Sequence, residues 1–217
     1  MNRIFKTRRW LAAAAAVVVA SQLSACAPLV LGSAVGGAFV ATDRRTSGAQ
    51  LEDQGIEIKA SSRLKESLGE RAHINVNSYN RLALLTGEVA SEADRQLAER
   101  TVAQVENVQK VVNELGIMGA SSLTARANDV LIATKVKATL VDARDVHSNA
   151  FRVVVERGEV YLQGMVTERE GQRAAELAAS VSGVQRVIKV FHLISEEELA
   201  RRTPKAPEQP NERPSHR

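Results

Sequence analysis

The chain has 217 residues, 44% of them apolar and only 3% aromatic, with a formal net charge of +4. Four of its basic residues, Arg3, Lys6, Arg8 and Arg9, lie in the first 25 residues, which carry no acid; without that segment, 25 basic residues face 25 acidic ones. The basic excess therefore belongs to the N-terminal segment, and Trp10 lies there too. What remains offers neither the electrostatic footprint nor the stacking platforms of a nucleic-acid binder.

After the basic residues, Leu11 to Ala20 is continuously apolar. Ten residues are too few to cross a hydrocarbon core of about 30 Å. A positive start, a short apolar run and small residues are the layout of a secretory signal peptide. The segment ends in Leu23-Ser24-Ala25-Cys26, and Cys26 is the sole cysteine of the chain. This stretch resembles the lipobox of bacterial lipoproteins. The resemblance implies cleavage before Cys26, a diacylglyceryl group on its sulfur and acylation of the new amine. An exported lone thiol has no disulfide partner, so lipidation also accounts for its presence. Each buried CH₂ contributes about 0.8 kcal/mol and stable anchoring takes more than one chain. Ala27 stands where an Asp in many such lipoproteins signals inner-membrane retention, which favours the outer membrane.

Pro28 to Gln50 is rich in small residues and ends in "TDRRTSGAQ". It reads as a flexible tether rather than as a helix packed through Gly32 and Gly36, with an end-to-end distance of roughly 25–30 Å. At the other end Pro204, Pro207, Pro210 and Pro214 stand among charges, a composition that does not support a core.

Between these segments the chain repeats itself. Asp53-x-x-Ile56-x-x-Lys59 matches Asp129-x-x-Ile132-x-x-Lys135; "LALLTGEV" at 82–89 matches "VYLQGMV" at 160–166; "VENVQKVV" at 105–112 matches "VSGVQRVI" at 181–188. Three blocks in one order, 76 or 77 residues apart, define two copies of one unit. In each, a helix (Ile56 to about Leu68; Thr124 to about Val141) precedes two strands. The strands join at Tyr79-Asn80 in the first copy and at Arg157-Gly158 in the second. A second helix follows (about 92–104; about 168–181), with Ala93, Leu97 and Ala98, or Ala174, Ala175 and Ala178, suited to close approach on a sheet. A last strand closes the unit (about 108–115; about 184–193). The expected fold is α+β: two tandem αββαβ units, each a three-stranded mixed sheet covered on one face by two helices. The expected boundaries are a signal peptide over 1–25, a lipidated flexible tether over 26–50, domains over 51–118 and 119–195, and a disordered tail over 196–217.

The repeated units resemble BON domains, through "LTGEV" and "LQGMVTERE" followed by "VQKVVNEL" and "VSGVQRVIKV". The whole arrangement from Cys26 to about Ile194 resembles the dual BON-domain outer-membrane lipoproteins. That resemblance implies a lipid-anchored periplasmic protein of the outer membrane. It implies a protein that is not an enzyme; no cofactor and no metal are expected. The resemblance further implies that the second BON domain binds anionic phospholipid, phosphatidylglycerol-like, through its first helix. The implied role is outer-membrane integrity, with gathering at division sites. The alternative is an adaptor supporting the machinery that assembles outer-membrane β-barrels. Carried onto this chain, the lipid face comprises Val130, Leu131, Thr134, Lys135, Lys137 and Ala138. On a helix Ile132, Val136 and Leu140 turn toward the core, while Leu131, Thr134, Lys135 and Ala138 share another face, with Arg126 a turn before. The family pattern has a Trp on this helix where this chain has Leu131. Residues 51–118 hold 8 basic and 11 acidic residues, residues 119–195 hold 10 and 8, so the second domain suits an anionic surface.

No constellation for catalysis stands out. His73, His147, His192 and His216 lack metal-ligand spacing. Glu92 with Asp94, and Glu168 with Glu170, sit at helix starts, where acids favour the dipole. Glu196–Glu198 followed by Arg201-Arg202 reads as a solvated helix end.

Overall fold

A computed structural model describes residues 43–202. The signal peptide, Cys26, most of the tether, His216 and residues 203–217 lie outside the described residues.

The first unit opens with α1 (Ser47–Leu68), a short 3₁₀ turn and the strands β1 (Ala72–Tyr79) and β2 (Leu82–Val89). Then come α2 (Glu92–Ala103), β3 (Lys110–Asn113) and β4 (Gly116–Ile117). The second unit has α3 (Leu123–Asp142), β5 (Phe151–Glu156), β6 (Glu159–Val166), α4 (Glu168–Ala179) and β7 (Arg186–Leu193), followed by α5 (Glu196–Arg202). In each sheet the hairpin is antiparallel and the last strand runs parallel to the central one. β4 continues the line of β3 along β2 after a break at Glu114-Leu115. At that break Leu115 enters the core and the Asn113 amide turns away to the Arg95 carbonyl.

The two copies close their hairpins in the same way. Asn80 and Arg81 have φ of 51° and 66°, and Arg157 and Gly158 have 53° and 73°. Two successive residues in the left-handed region make the tight turn that matches strand twist. The first turn is thus Asn80-Arg81, one residue later than the expected Tyr79-Asn80. A buried aspartate from the first helix of each unit holds it. Asp53 accepts from the amides of Asn80 (2.7 Å) and Arg81 (2.8 Å), and Asp129 from those of Arg157 (2.9 Å) and Gly158 (2.8 Å). The Asp of the repeated Asp-x-x-Ile-x-x-Lys block is therefore a turn cap.

Alternate residues of each sheet face its helices. Ile56, Ala60, Leu64, Ala83, Leu85 and Ala98 pack in the first core, and Ile132, Val136, Leu140, Val160, Leu162, Ala174 and Ala178 in the second. Ala93 is exposed; Asp94 and Val102 take its place on the buried side of α2. The other face of each sheet packs against the other sheet. Leu84 and Val112 meet Tyr161, Val190, Ile188 and Val154 there. Hence β2 and β6 are buried on both faces. Polar contacts rim this interface: Arg152 reaches Glu57 (2.7 Å) and Asn77 (3.0 Å), and Arg157 donates to the Gly87 carbonyl (2.9 Å).

Two segments expected to be irregular are ordered. The sequence places residues 43–50 in the tether, but α1 starts nine residues before Ile56. Its N-cap Thr46 accepts from the Ala49 amide at 3.2 Å. Residues 196–202, expected in the tail, form α5, in which Arg202 pairs with Glu198 at 2.6 Å. Leu199 packs on Tyr79, Met165 and Ile194.

Candidate membrane-facing surface

Helix α3 starts at N-cap Ser122, which accepts from the Ala125 amide (3.1 Å), and carries no Gly or Pro to interrupt it. Its buried stripe is Asp129, Ile132, Val136 and Leu140. On the solvent side Leu123, Val130, Leu131 and Val141 are 82%, 65%, 60% and 67% exposed. Thr134, Lys135, Lys137 and Ala138 are exposed as well. At a rise of 1.5 Å per residue, Leu123 to Val141 spans about 27 Å. All six residues of the inferred lipid face thus lie on accessible helix surface. Leu123 and Val141 extend the apolar line at its two ends; their exposure becomes visible only when the helix is placed on its sheet.

Two hydroxyls of α3 are satisfied by the helix itself. The Thr134 hydroxyl donates to the Val130 carbonyl at 2.8 Å, and Thr139 to that of Lys135 at 3.0 Å. Hydroxyls satisfied by their own helix cost less to remove from water. Arg126 is half-buried and donates to the Ser121 hydroxyl. Among the described residues, no ion pair engages Lys135 or Lys137.

The first domain offers a comparison inside the same chain. At the positions of Val130 and Leu131, α1 has Gln54 and Gly55. Lys59, the counterpart of Lys135, is paired with Glu106 at 2.9 Å. The residue matching Glu106 in the second repeat is Ser182. The blocks "VENVQ" and "VSGVQ" carry this difference, so it could be found by asking what each repeat changes rather than what it keeps. Leu51 and Ile58 are exposed on α1, but without an unpaired cation beside them that matches Lys135.

Several other titratable groups make contacts within the fold. Among the described residues no cluster of three or more His, Cys, Asp or Glu side chains could hold a metal. His73 bonds to Glu88 (3.1 Å), and His192 lies 3.5 Å from the Asn80 amide. Of the carboxylates at helix starts, Asp94 accepts from the N-cap hydroxyl of Ser91, and Glu170 closes a capping box with the N-cap Thr167.

Glu156 is buried beside the interface and accepts from Asn75 at 3.1 Å. Burial pushes its carboxyl above the ordinary 4.5; the Asn75 hydrogen bond and Arg157 pull it down, and Glu88 and Asp129 push it up. The folded protein therefore binds this proton more tightly than the unfolded chain. Glu156 lowers stability above its folded pKa, and that penalty vanishes as pH falls to the ordinary value. Glu156→Gln keeps an oxygen for Asn75. It is expected to raise the urea midpoint near pH 7 and to leave it unchanged near pH 4. Equal midpoints near pH 7 would contradict this account.

An αββαβ unit with two helices on one face of a mixed sheet, present twice in tandem, is a BON-domain architecture, and the BON domain family profile matches residues 52–118 and 128–194. The chain is 37% identical over 172 residues to "Outer membrane lipoprotein DolP" of Haemophilus influenzae, covering 78% of this chain and 89% of that protein. It is 31% identical over 154 residues to "21 kDa hemolysin" of Actinobacillus pleuropneumoniae (70% of this chain, 79% of that one). Over 144 residues it is 28% identical to "Osmotically-inducible protein Y" of Escherichia coli (64% and 72%). The chain belongs to the dual BON-domain outer-membrane lipoproteins, and its place is the outer membrane, by a lipid anchor. Among the described residues no helix is long and apolar enough to cross a membrane.

Proposed function

We propose that this lipoprotein binds anionic phospholipid through the exposed face of α3 and so helps to maintain the outer membrane, without catalysing a reaction. Acyl chains on Cys26 hold it at the membrane, and the second domain makes the contact that selects anionic lipid. The observation that carries this reading is the contrast between the repeats. The solvent face of α3 combines Val130 and Leu131 with Lys135 and Lys137, neither of them ion-paired among the described residues. The matching face of α1 has Gln54, Gly55 and a lysine neutralised by Glu106. Apolar side chains enter the acyl boundary while cations stay at phosphate level, each adding roughly 1 kcal/mol. Leu131 in place of the family Trp inserts without a polar handle at the interface.

The test uses the anchorless chain from Ala27 onward and vesicles with and without phosphatidylglycerol. A chain cut at Gln50 would lose the N-cap of α1 and the residues before it. Binding is expected only with the anionic lipid. Lys135→Glu should weaken it by roughly 30-fold, the equivalent of about 2 kcal/mol, and Leu131→Glu should abolish it. Ile58→Glu on α1 should leave it unchanged. If the intact chain ignores anionic vesicles, the lipid reading falls, and the adaptor role in barrel assembly takes its place.

A further inference from the structure

In chain order the first domain stands between Cys26 and the second. The structure joins the segment before α1 to both. The Arg44 guanidinium donates to both carboxylate oxygens of Glu170, at 2.8 and 2.7 Å, and to the Met165 carbonyl at 3.0 Å. The pair is secluded: Arg44 and Glu170 side chains are 10% and 4% exposed. One residue on, Arg45 turns to the first domain. It bonds to Asp53 at 2.8 Å, to Asp43 at 2.7 Å, and lies 4.0 Å over the Tyr79 ring. Tyr79 in turn packs on Met165 and Ile194. Arg202 of α5 donates to the Arg44 carbonyl at 3.5 Å.

We propose that Asp43–Thr46 is a strap that seats the anchor-proximal segment on the second domain, fixes where the chain arriving from Cys26 joins the folded body, and clamps the two domains together. Successive arginines that point to different domains make this possible with two residues. The entry point lies beside the first turn of α4. The α3–β5 connection is tied to that same helix, through Arg173 and Asp145 at 2.7 Å. The domain that comes later in the sequence is thereby held at the entry point. The strap stands independently of the lipid reading, since it concerns contacts within the chain.

Trypsin tests it on the full lipidated chain in detergent micelles, read by mass at the bonds after Arg44 and Arg45. In the wild type both bonds should resist cleavage. Glu170→Gln removes the charge but keeps the capping box, which accepts Gln at this position. It should accelerate cleavage about tenfold by opening the segment locally, while the amides of β6 keep their hydrogen-exchange protection. Arg44→Ala leaves the capping box untouched, and the bond after Arg45 should be cut with the same acceleration. Should Glu170→Gln loosen β6 as well, Arg44→Ala decides. Rapid cleavage of the wild type, or unchanged cleavage in Arg44→Ala, would overturn the strap.

Discussion

Gly87→Ala is expected to destabilise the protein by about 3–4 kcal/mol, lowering the thermal midpoint by roughly 10 °C. Gly87 lies in the central strand β2 at φ 112°, a region that side chains strain to occupy. A Cβ there would stand 2.0 Å from the His73 carbonyl oxygen, in the neighbouring strand of the same hairpin. That oxygen is backbone, so relief requires moving β1, which lies on the first core. Gly164, its counterpart, meets the Ala150 carbonyl at 2.5 Å and should show a smaller loss of the same kind. Gly55 provides the opposite case. It lies within α1 with nothing within 4 Å of an added Cβ, so Gly55→Ala should stabilise by about 1 kcal/mol. Thermal unfolding by circular dichroism separates the three. A Gly87→Ala midpoint within about 2 °C of the wild type would remove this explanation of the glycine that ends each strand block.

Asp53→Ala should cost about 3–5 kcal/mol. The carboxylate accepts from the Ser78 hydroxyl (2.7 Å) and from the amides of Asn80 and Arg81, and it pairs with Arg45. Truncation leaves a hydroxyl, two turn amides and part of a guanidinium without their acceptor inside the protein. Asp129→Ala loses two turn amides and no arginine, so its cost should be smaller, about 2–3 kcal/mol. Asp53→Asn retains one oxygen and should fall between wild type and Asp53→Ala. Urea unfolding gives the ranking, and hydrogen exchange at Asn80 and Arg81 locates the loss. The reverse order, Asp129→Ala worse than Asp53→Ala, would mean that Arg45 contributes little to the first domain.

Glu170 acts in the other pH direction from Glu156. Burial alone would raise its carboxyl, but the Arg44 hydrogen bonds overcome this and hold it below the ordinary 4.5. Its contribution is therefore present at neutral pH and lost as pH falls through its folded pKa. Acid should thus loosen the strap while relieving Glu156.

Much of this architecture is legible because it is local or periodic. The four-residue recurrence of Ile132, Val136 and Leu140 identifies the buried side of α3, and the exposed side follows from it. The repeat spacing identifies the two units. What escapes sequence reading depends on partners far away in the chain. Asp53 looks like a surface acid at a helix start until the hairpin turn 27 residues later lies on it. Arg44 looks like linker because its partner, Glu170, is 126 residues away. The first hairpin turn shifts by one residue because Arg81 adopts a left-handed conformation that its side chain does not advertise, supported by the Asp53 carboxylate. Tyr161 and Gln163 lie on the sheet side away from the helices; only the docked first domain explains why they are wholly buried.

The back-to-back sheets have a consequence for how the protein can stand in the envelope. Each sheet spends its inner face on its twin, so the two helical layers look outward in opposite directions. A flat bilayer can touch one of them at a time. On the proposed reading, with α3 on the lipid, α1 and α2 would face the periplasmic space, and exposed Leu51 and Ile58 would be turned away from the membrane. The doubled fold is thus two-sided, like a tile: whichever helical layer meets a surface, the other stays open to whatever shares the periplasm.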